Sequence, residues 1–205
     1  MKNGGYDDGY SAVPCFWGES PGSLVKLFLD EHSVRGNVIL DLGCGEGKNA
    51  SAFTAAGAAA IAVDCSQDAI TNGKSIFRNS PIDWHIADAT SFAASQSDGT
   101  YDVVVAYGLL HCMNSEAEAV ALINDVQRLT KPEGTVILVA FNDRSQDLSA
   151  HPGFEPLLMP HDWYAGKFGG WHTQVLTDTD LHETHPHNGI PHHHSLTRLI
   201  AKKPA

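Results

Sequence analysis

Three glycines at alternate positions, Gly43, Gly45 and Gly47, lie in the run Asp41-Leu42-Gly43-Cys44-Gly45-Glu46-Gly47. Glycines so placed let backbone approach a ligand where a Cβ would clash. A dinucleotide loop, G-x-G-x-x-G, needs its third glycine at position 48, which is Lys48. The spacing therefore favours another nucleoside cofactor over a nicotinamide one. About 20 residues past the loop stands Asp64, where a carboxylate can accept both hydroxyls of a ribose. Asp88, in Ile86-Ala87-Asp88-Ala89, is placed to accept the exocyclic amine of an adenine.

A second set of groups could serve an acceptor molecule. His111, in Tyr107-Gly108-Leu109-Leu110-His111, can take a proton in the neutral range, or can simply pack and bond to backbone. Toward the end of the chain stand His182, His185, His187, His192, His193 and His194. Period-two geometry puts His192 and His194 on one strand face with His193 opposite, and makes those two the candidate acceptor-binding residues. No Asp or Glu with facial-triad spacing accompanies them, and Pro186 and Pro191 distort the strands, so no metal is assigned and solvated or packing histidines are expected at a hairpin tip. The cysteines Cys15, Cys44, Cys65 and Cys112 form no C-x-x-C pair and imply no disulfide framework.

These groups need a scaffold, and the chain spells out alternating strands and helices. Asn37 to Leu42 reads as a buried strand entering a tight turn, and Lys48 to Ala56 as a helix. Ala59 to Val63, Ile82 to Ala87, Tyr101 to Tyr107 and Thr135 to Phe141 read as further strands, with Ser66 to Arg78 a helix between the first two. Ser115 and Glu118 form a capping-box pair ahead of Ala119, Leu122, Ile123, Val126 and Leu129, until Lys131-Pro132-Glu133-Gly134 breaks the helix. A leading helix is expected from Ser20 and Pro21 onward. Asn142 to Pro160 reads as a lid or loop, followed by a short helix near His161 to Phe168. Strands over Thr173 to Thr184 and Ser195 to Lys202 close the chain as a hairpin, with Asn188-Gly189 as its turn signal. Repeated β-α-β spacing implies right-handed crossovers and a parallel sheet.

Composition narrows the partners. The 205 residues are 42% hydrophobic, which suits one domain, here residues 1–205 with 1–36 as an arm and helix capping the site. A net charge of −11 lacks the basic footprint that nucleic acid requires. No long apolar run suggests a membrane span, and the polar start MKNGGYDDGY lacks a secretory signal, which places the protein in the cytoplasm.

Together VILDLGCGEGKNA, IAVDCS, WHIADAT, YDVVVAYGLLH and LTKPEGTVILVAF, in order over residues 38–141, resemble the class I S-adenosylmethionine-dependent methyltransferase superfamily. CFWGESPGSLV and the pairing of GCGEGKNA with LTKPEG further resemble its small-molecule, tellurite-resistance-type branch. The resemblance implies an α/β fold, a Rossmann-like doubly wound sheet of seven strands in the order 3-2-1-4-5-7-6 with the last strand antiparallel. It implies that Asp41, Gly43, Gly45 and Gly47 hold the methionine part, Asp64 and Cys65 the ribose, and Asp88 and Ala89 the adenine. Cys44 contributes backbone, Tyr107 lies beside the sulfonium, and Trp17 closes over the cofactor. The expected reaction is methyl transfer from S-adenosylmethionine to O, N, S or a metalloid centre of a small molecule, releasing S-adenosylhomocysteine. The competing expectation is a non-catalytic nucleotide- or metal-sensing module that uses the histidine hairpin.

Overall fold

The computed structural model describes residues 6–205. Seven strands, β1 (Val38–Leu42), β2 (Ala59–Asp64), β3 (Ile82–Ile86), β4 (Tyr101–Tyr107), β5 (Thr130–Gln146), β6 (His172–Thr184) and β7 (Pro191–Lys202), form one sheet. Their order is β3-β2-β1-β4-β5-β7-β6. The first five run parallel, and β7 lies antiparallel between β5 and β6. This is the expected Rossmann-like topology.

Alternation along the strands gives the sheet two apolar faces. Leu40 and Leu42 of β1 join Val104, Ala106, Val136 and Leu138 on one face, while Ile39 joins Val103, Val105, Ile137 and Val139 on the other. The first face is covered by α5 (Ala89–Ser95), α6 (Glu116–Leu129) and α7 (His161–Lys167), through residues such as Leu122, Val126 and Tyr164. The second is covered by α2 (Ser23–Glu31), α3 (Lys48–Ala55) and α4 (Gln67–Ile76), through Val25, Phe28, Phe53 and Ile70. Among the described residues no helix is long and apolar enough to cross a membrane.

Local chemistry sets the helix starts. Ser66 Oγ accepts from Ala69 N–H at the start of α4, and Ser115 Oγ accepts from Glu118 N–H at the start of α6. Glu118 reaches back one residue further than the capping box predicts, its carboxylate accepting from Asn114 N–H at 2.6 Å.

Several boundaries differ from the sequence expectation. The leading helix begins at Ser23, because Gly22 N–H is drawn to Asn49 Oδ1 at 2.8 Å and Gly22 becomes the N-cap. The arm ahead of the leading helix holds a short helix of its own, α1 (Tyr6–Ala12), and neither it nor α5 is expected from the sequence. Lys131-Pro132-Glu133-Gly134 does end α6, but as an irregular start to β5 in which Glu133 takes a φ of 62°. At its far end β5 continues to Gln146, leaving 147–160 as the long connection. Most consequential is β7, which begins at Pro191 rather than Ser195 and so carries His192, His193 and His194 within the sheet.

Candidate functional site

A cleft of about 1170 Å³, counting its open mouth, lies at the carboxyl ends of the parallel strands. Its floor is the turn after β1, where Gly43 N–H and Cys44 N–H donate to Val63 O at 2.8 and 3.0 Å. The glycines are dictated by close neighbours. Gly47 caps α3 with φ 81°, and a Cβ there would come within 2.3 Å of the Trp84 ring. Gly45, φ 54°, lies under the Tyr10 hydroxyl, which a Cβ would approach to 2.7 Å.

Two carboxylates brace this floor. Asp64 Oδ2 accepts from Gly45 N–H at 2.8 Å and Oδ1 from Ser66 N–H at 2.9 Å. Each oxygen keeps a second lone pair for a ligand. Burial raises the Asp64 carboxyl above its ordinary range, against the pull of those backbone donors. Asp41 is fully buried behind the loop, with Oδ2 accepting from Ala50 N–H at 3.2 Å and Oδ1 without a hydrogen bond. Burial pushes its carboxyl up to about 7.

The arm closes one side of the cleft. Tyr6, Asp7, Tyr10, Trp17 and Gly18 all line it, and Trp17 Nε1–H donates to the Tyr10 hydroxyl at 3.0 Å. What ties the arm down is Glu46, a glycine-loop residue that the sequence reading passed over. Its buried Oε1 accepts from Cys15 N–H at 2.8 Å and from Asn72 Nδ2–H at 3.1 Å, while the same amide donates to Tyr10 O.

Of the residues expected to hold a cofactor, Trp17, Gly43, Cys44, Gly45, Asp64, Cys65 and Tyr107 line the cleft. Asp41 and Gly47 stand behind it as supports. Asp88 and Ala89 lie apart from this lining: Asp88 Oδ1 accepts from Ser91 N–H at 2.9 Å as the N-cap of α5, and Ala89 is buried in its first turn. Hydrogen bonds from Thr90 and Ser91 hold the half-exposed Asp88 carboxyl below its usual range despite the desolvation that opposes them.

His111 also lines the cleft, in the 3₁₀ turn Leu110–Cys112, stacked on Phe141 with ring centroids 3.8 Å apart. Its Nδ1 accepts from Phe141 N–H at 3.3 Å, which leaves the ring hydrogen on Nε2, an atom without a hydrogen bond. Burial pushes this imidazole down to about 3. In that state the ring is neutral, packed on Phe141 and bonded to backbone, which is the second of the two roles the sequence left open to it.

Of the hairpin histidines, His182 and His187 are exposed and His193 is half-buried, but three are not solvated. His185, His192 and His194 are buried, because β7 runs inside the sheet and the arm packs over it through Phe16 and Trp17. His182 and His193 face the other side, with ring centroids 5.8 Å apart. Neither His192 nor His194 lines the cleft; Glu183, paired across the strands with His192, does. The carboxylate thought absent is this one: Glu183 Oε1 lies 4.0, 3.5 and 3.7 Å from Nε2 of His185, His192 and His194. His151, from the 147–160 connection, completes the group, its Nε2 3.1 Å from that of His185. Burial pushes His185 and His194 down to about 3, so both rings are neutral.

Comparison with known proteins agrees with this geometry. Residues 39–134 match the family model described as a methyltransferase domain. The chain is 32% identical over 139 residues to the ribosomal protein L11 methyltransferase of Thermotoga maritima, covering 67% of this chain and 47% of that one. It is 33% identical over 138 residues to a ubiquinone biosynthesis O-methyltransferase of Methylococcus capsulatus, covering 62% and 56%. It thus spans about half the length of these relatives. The fold is similar to that of TehB from Haemophilus influenzae, with a TM-score of 0.71 at 18% identity over 89% of this chain and 62% of that one. The glycine loop, the strand order and the family match agree: residues 39–134 carry a methyltransferase domain on the class I fold, whose cofactor is S-adenosylmethionine.

Proposed function

We propose that the chain transfers the methyl group of S-adenosylmethionine to a small molecule enclosed between the arm and the β6–β7 hairpin. The observation that carries this reading is Asp64: a carboxylate fixed by two backbone donors at the cleft wall, with lone pairs left for a ribose. Gly43, Cys44 and Gly45 take the methionine part with Asp41 and Gly47 supporting them from behind, Cys65 flanks the ribose, Tyr107 lies by the sulfonium, and Asp88 with Ala89 marks the adenine end. The carbon–sulfur bond breaks as the acceptor–methyl bond forms, the acceptor proton leaves, and S-adenosylhomocysteine is released. In-line displacement of this kind is driven chiefly by alignment in a dry pocket.

A small acceptor is supported by the enclosure, in which Tyr6, Trp17, Phe141, Leu181 and Leu196 form apolar walls. The ubiquinone biosynthesis relative is an O-methyltransferase, whereas the ribosomal protein L11 relative acts on a protein, so acceptor class is part of the proposal. A net charge of −11 disfavours nucleic acid, and a cytoplasmic setting goes with this reading. His111 is assigned to positioning, its Nε2–H donating to an acceptor or cofactor atom. The non-catalytic sensing module is not favoured, given the family match and the braced loop.

Calorimetric titration with S-adenosylhomocysteine tests the proposal. Micromolar or tighter binding, weakened about 100-fold or more by Asp64→Ala, is expected from the loss of charge-assisted hydrogen bonds. No binding by the native chain would remove the reading.

A further inference from the structure

The hairpin brings four imidazoles and one carboxylate together, and their hydrogen bonds fix which nitrogens carry hydrogen. His192 Nδ1 lies 2.9 Å from Ile190 O, which only accepts, so Nδ1 donates. His194 Nδ1 lies 2.8 Å from Gln146 Oε1. That amide cannot be reversed, because Gln146 Nε2 donates to Asn142 O at 2.6 Å and Ser195 O at 3.0 Å. Nδ1 of His194 therefore donates as well. In the neutral rings both Nε2 atoms are therefore lone pairs, and both are fully buried and without a hydrogen bond.

These lone pairs are aimed at another acceptor, Glu183 Oε1, at 3.5 and 3.7 Å. Acceptors facing one another across a buried gap repel unless positive charge lies between them. A proton on Nε2 would serve one contact alone, whereas a cation at the centre satisfies all of them. Ligands about 2.0–2.2 Å from a tetrahedral zinc ion stand roughly 3.3–3.6 Å apart. The Glu183–His192 separation of 3.5 Å falls in that range and Glu183–His194, at 3.7 Å, lies just above it, while 3.1 Å between His151 and His185 and 4.0 Å from Glu183 to His185 lie on either side of it. The ligand atoms form two sets, His151/His185/His192 and Glu183/His192/His194, each within 4.8 Å and sharing His192. The Nδ1–H bonds to Ile190 O and Gln146 Oε1 are the outer contacts that orient metal-binding imidazoles.

We infer that Glu183, His192 and His194, with His151 and His185 beside them, bind one zinc-class divalent ion at the acceptor end of the cleft. Imidazole and carboxylate donors without thiolate suit zinc or cobalt(II). Glu183 belongs to the cleft wall, so an acceptor hydroxyl or thiol entering the cleft can take an open coordination position. Binding there acidifies the acceptor, whose proton passes to solvent, and the anion then attacks the methyl carbon as the carbon–sulfur bond breaks. The acceptor role rests on the methyl-transfer reading above; the ion site itself does not.

The test is titration of chelator-treated full-length chain with Zn²⁺ by calorimetry and with Co²⁺ by visible absorption, beside a parallel titration with S-adenosylhomocysteine. One equivalent of each metal is expected, with cobalt bands of a four- or five-coordinate site. His192→Ala and His194→Ala should each weaken zinc binding more than 100-fold, and Gln146→Ala about 10- to 100-fold. His182→Ala, on the opposite face, should bind as the native chain does. Where an alanine variant fails to fold, judged by circular dichroism, Glu183→Gln and His194→Gln replace it. Absence of a stoichiometric site in the native chain overturns the inference, as does a site retained by the ligand variants. Metal binding without S-adenosylhomocysteine binding would fault the methyl-transfer reading while the ion site stands, and the reverse result would do the opposite.

Discussion

The two ends of the cleft are built on different principles. At the glycine-loop end, carboxylates are held by backbone N–H groups: Asp64 by Gly45 and Ser66, Asp41 by Ala50. At the histidine end, side chains are held largely by other side chains, as His194 is by Gln146 and His151 by His185. Backbone bracing is local, so its parts lie close in sequence and read as a motif. Side-chain bracing is assembled by tertiary pairing, and its parts are scattered. The two ends also respond oppositely to protons, since burial raises an acid and lowers a base.

That contrast can be broken by experiment, and the largest effect concerns Asp41. Its folded value of about 7 exceeds the unfolded value of 3.8, so the folded chain holds this proton more tightly. The stabilisation is fully present below pH 3.8 and is lost as pH rises through 7. Asp41→Asn should therefore gain up to about 4 kcal/mol on the native chain at pH 8, and little at pH 4, in urea unfolding of the ligand-free protein. An equal gain at both pH values would show that no buried ionisation is involved.

His111 should behave in the opposite sense, because its folded value near 3 lies below the unfolded 6.5. Its neutral burial favours folding above pH 6.5 and is lost as pH falls toward 3. His111→Gln should be more stable than the native chain by about 3 kcal/mol at pH 4.5, with the difference vanishing by pH 8. Should both variants move in the same direction with pH, the comparison between the two ends fails.

Gln146→Ala should cost about 2 kcal/mol of stability at pH 8, because it strands His194 Nδ1–H and two buried acceptors. Glu46→Gln, which keeps an acceptor for Cys15 N–H and Asn72, should cost about 1 kcal/mol or less. Its sharper readout is limited proteolysis of the arm. In Glu46→Ala, which removes that acceptor, faster cleavage near Cys15 is expected, and unchanged cleavage would mean that Glu46 does not tie the arm down.

The same contrast explains what the sequence disclosed. The glycine loop, Asp64 and the parallel strands follow from local rules: an apolar run, a tight turn, a carboxylate one strand later. Helix α5 went unseen because Ala89–Ser95 is mostly small residues without an apolar period, and α1 because a glycine and two aspartates mask its face. Period two did place His192 and His194 on one face, but burial depended on where β7 began. A two-residue turn at Asn188-Gly189 would have set His185 opposite His192. The longer connection from Thr184 to Pro191 sets Glu183 there instead. His151 and Gln146 carry no local signal at all, since their partners lie 34 and 48 residues away.

Those separations also order events in time. Gly45 and Asp64 close over 19 residues, and the glycine-loop end is complete once β1, β2 and β4 have paired. The histidine end waits for β7 to slot between β5 and β6, bringing His194 back to Gln146. A growing chain thus has its nucleoside cradle before its opposing wall. Any kinetic intermediate caught in refolding should hold a formed β1–β4 core with the imidazoles still in water.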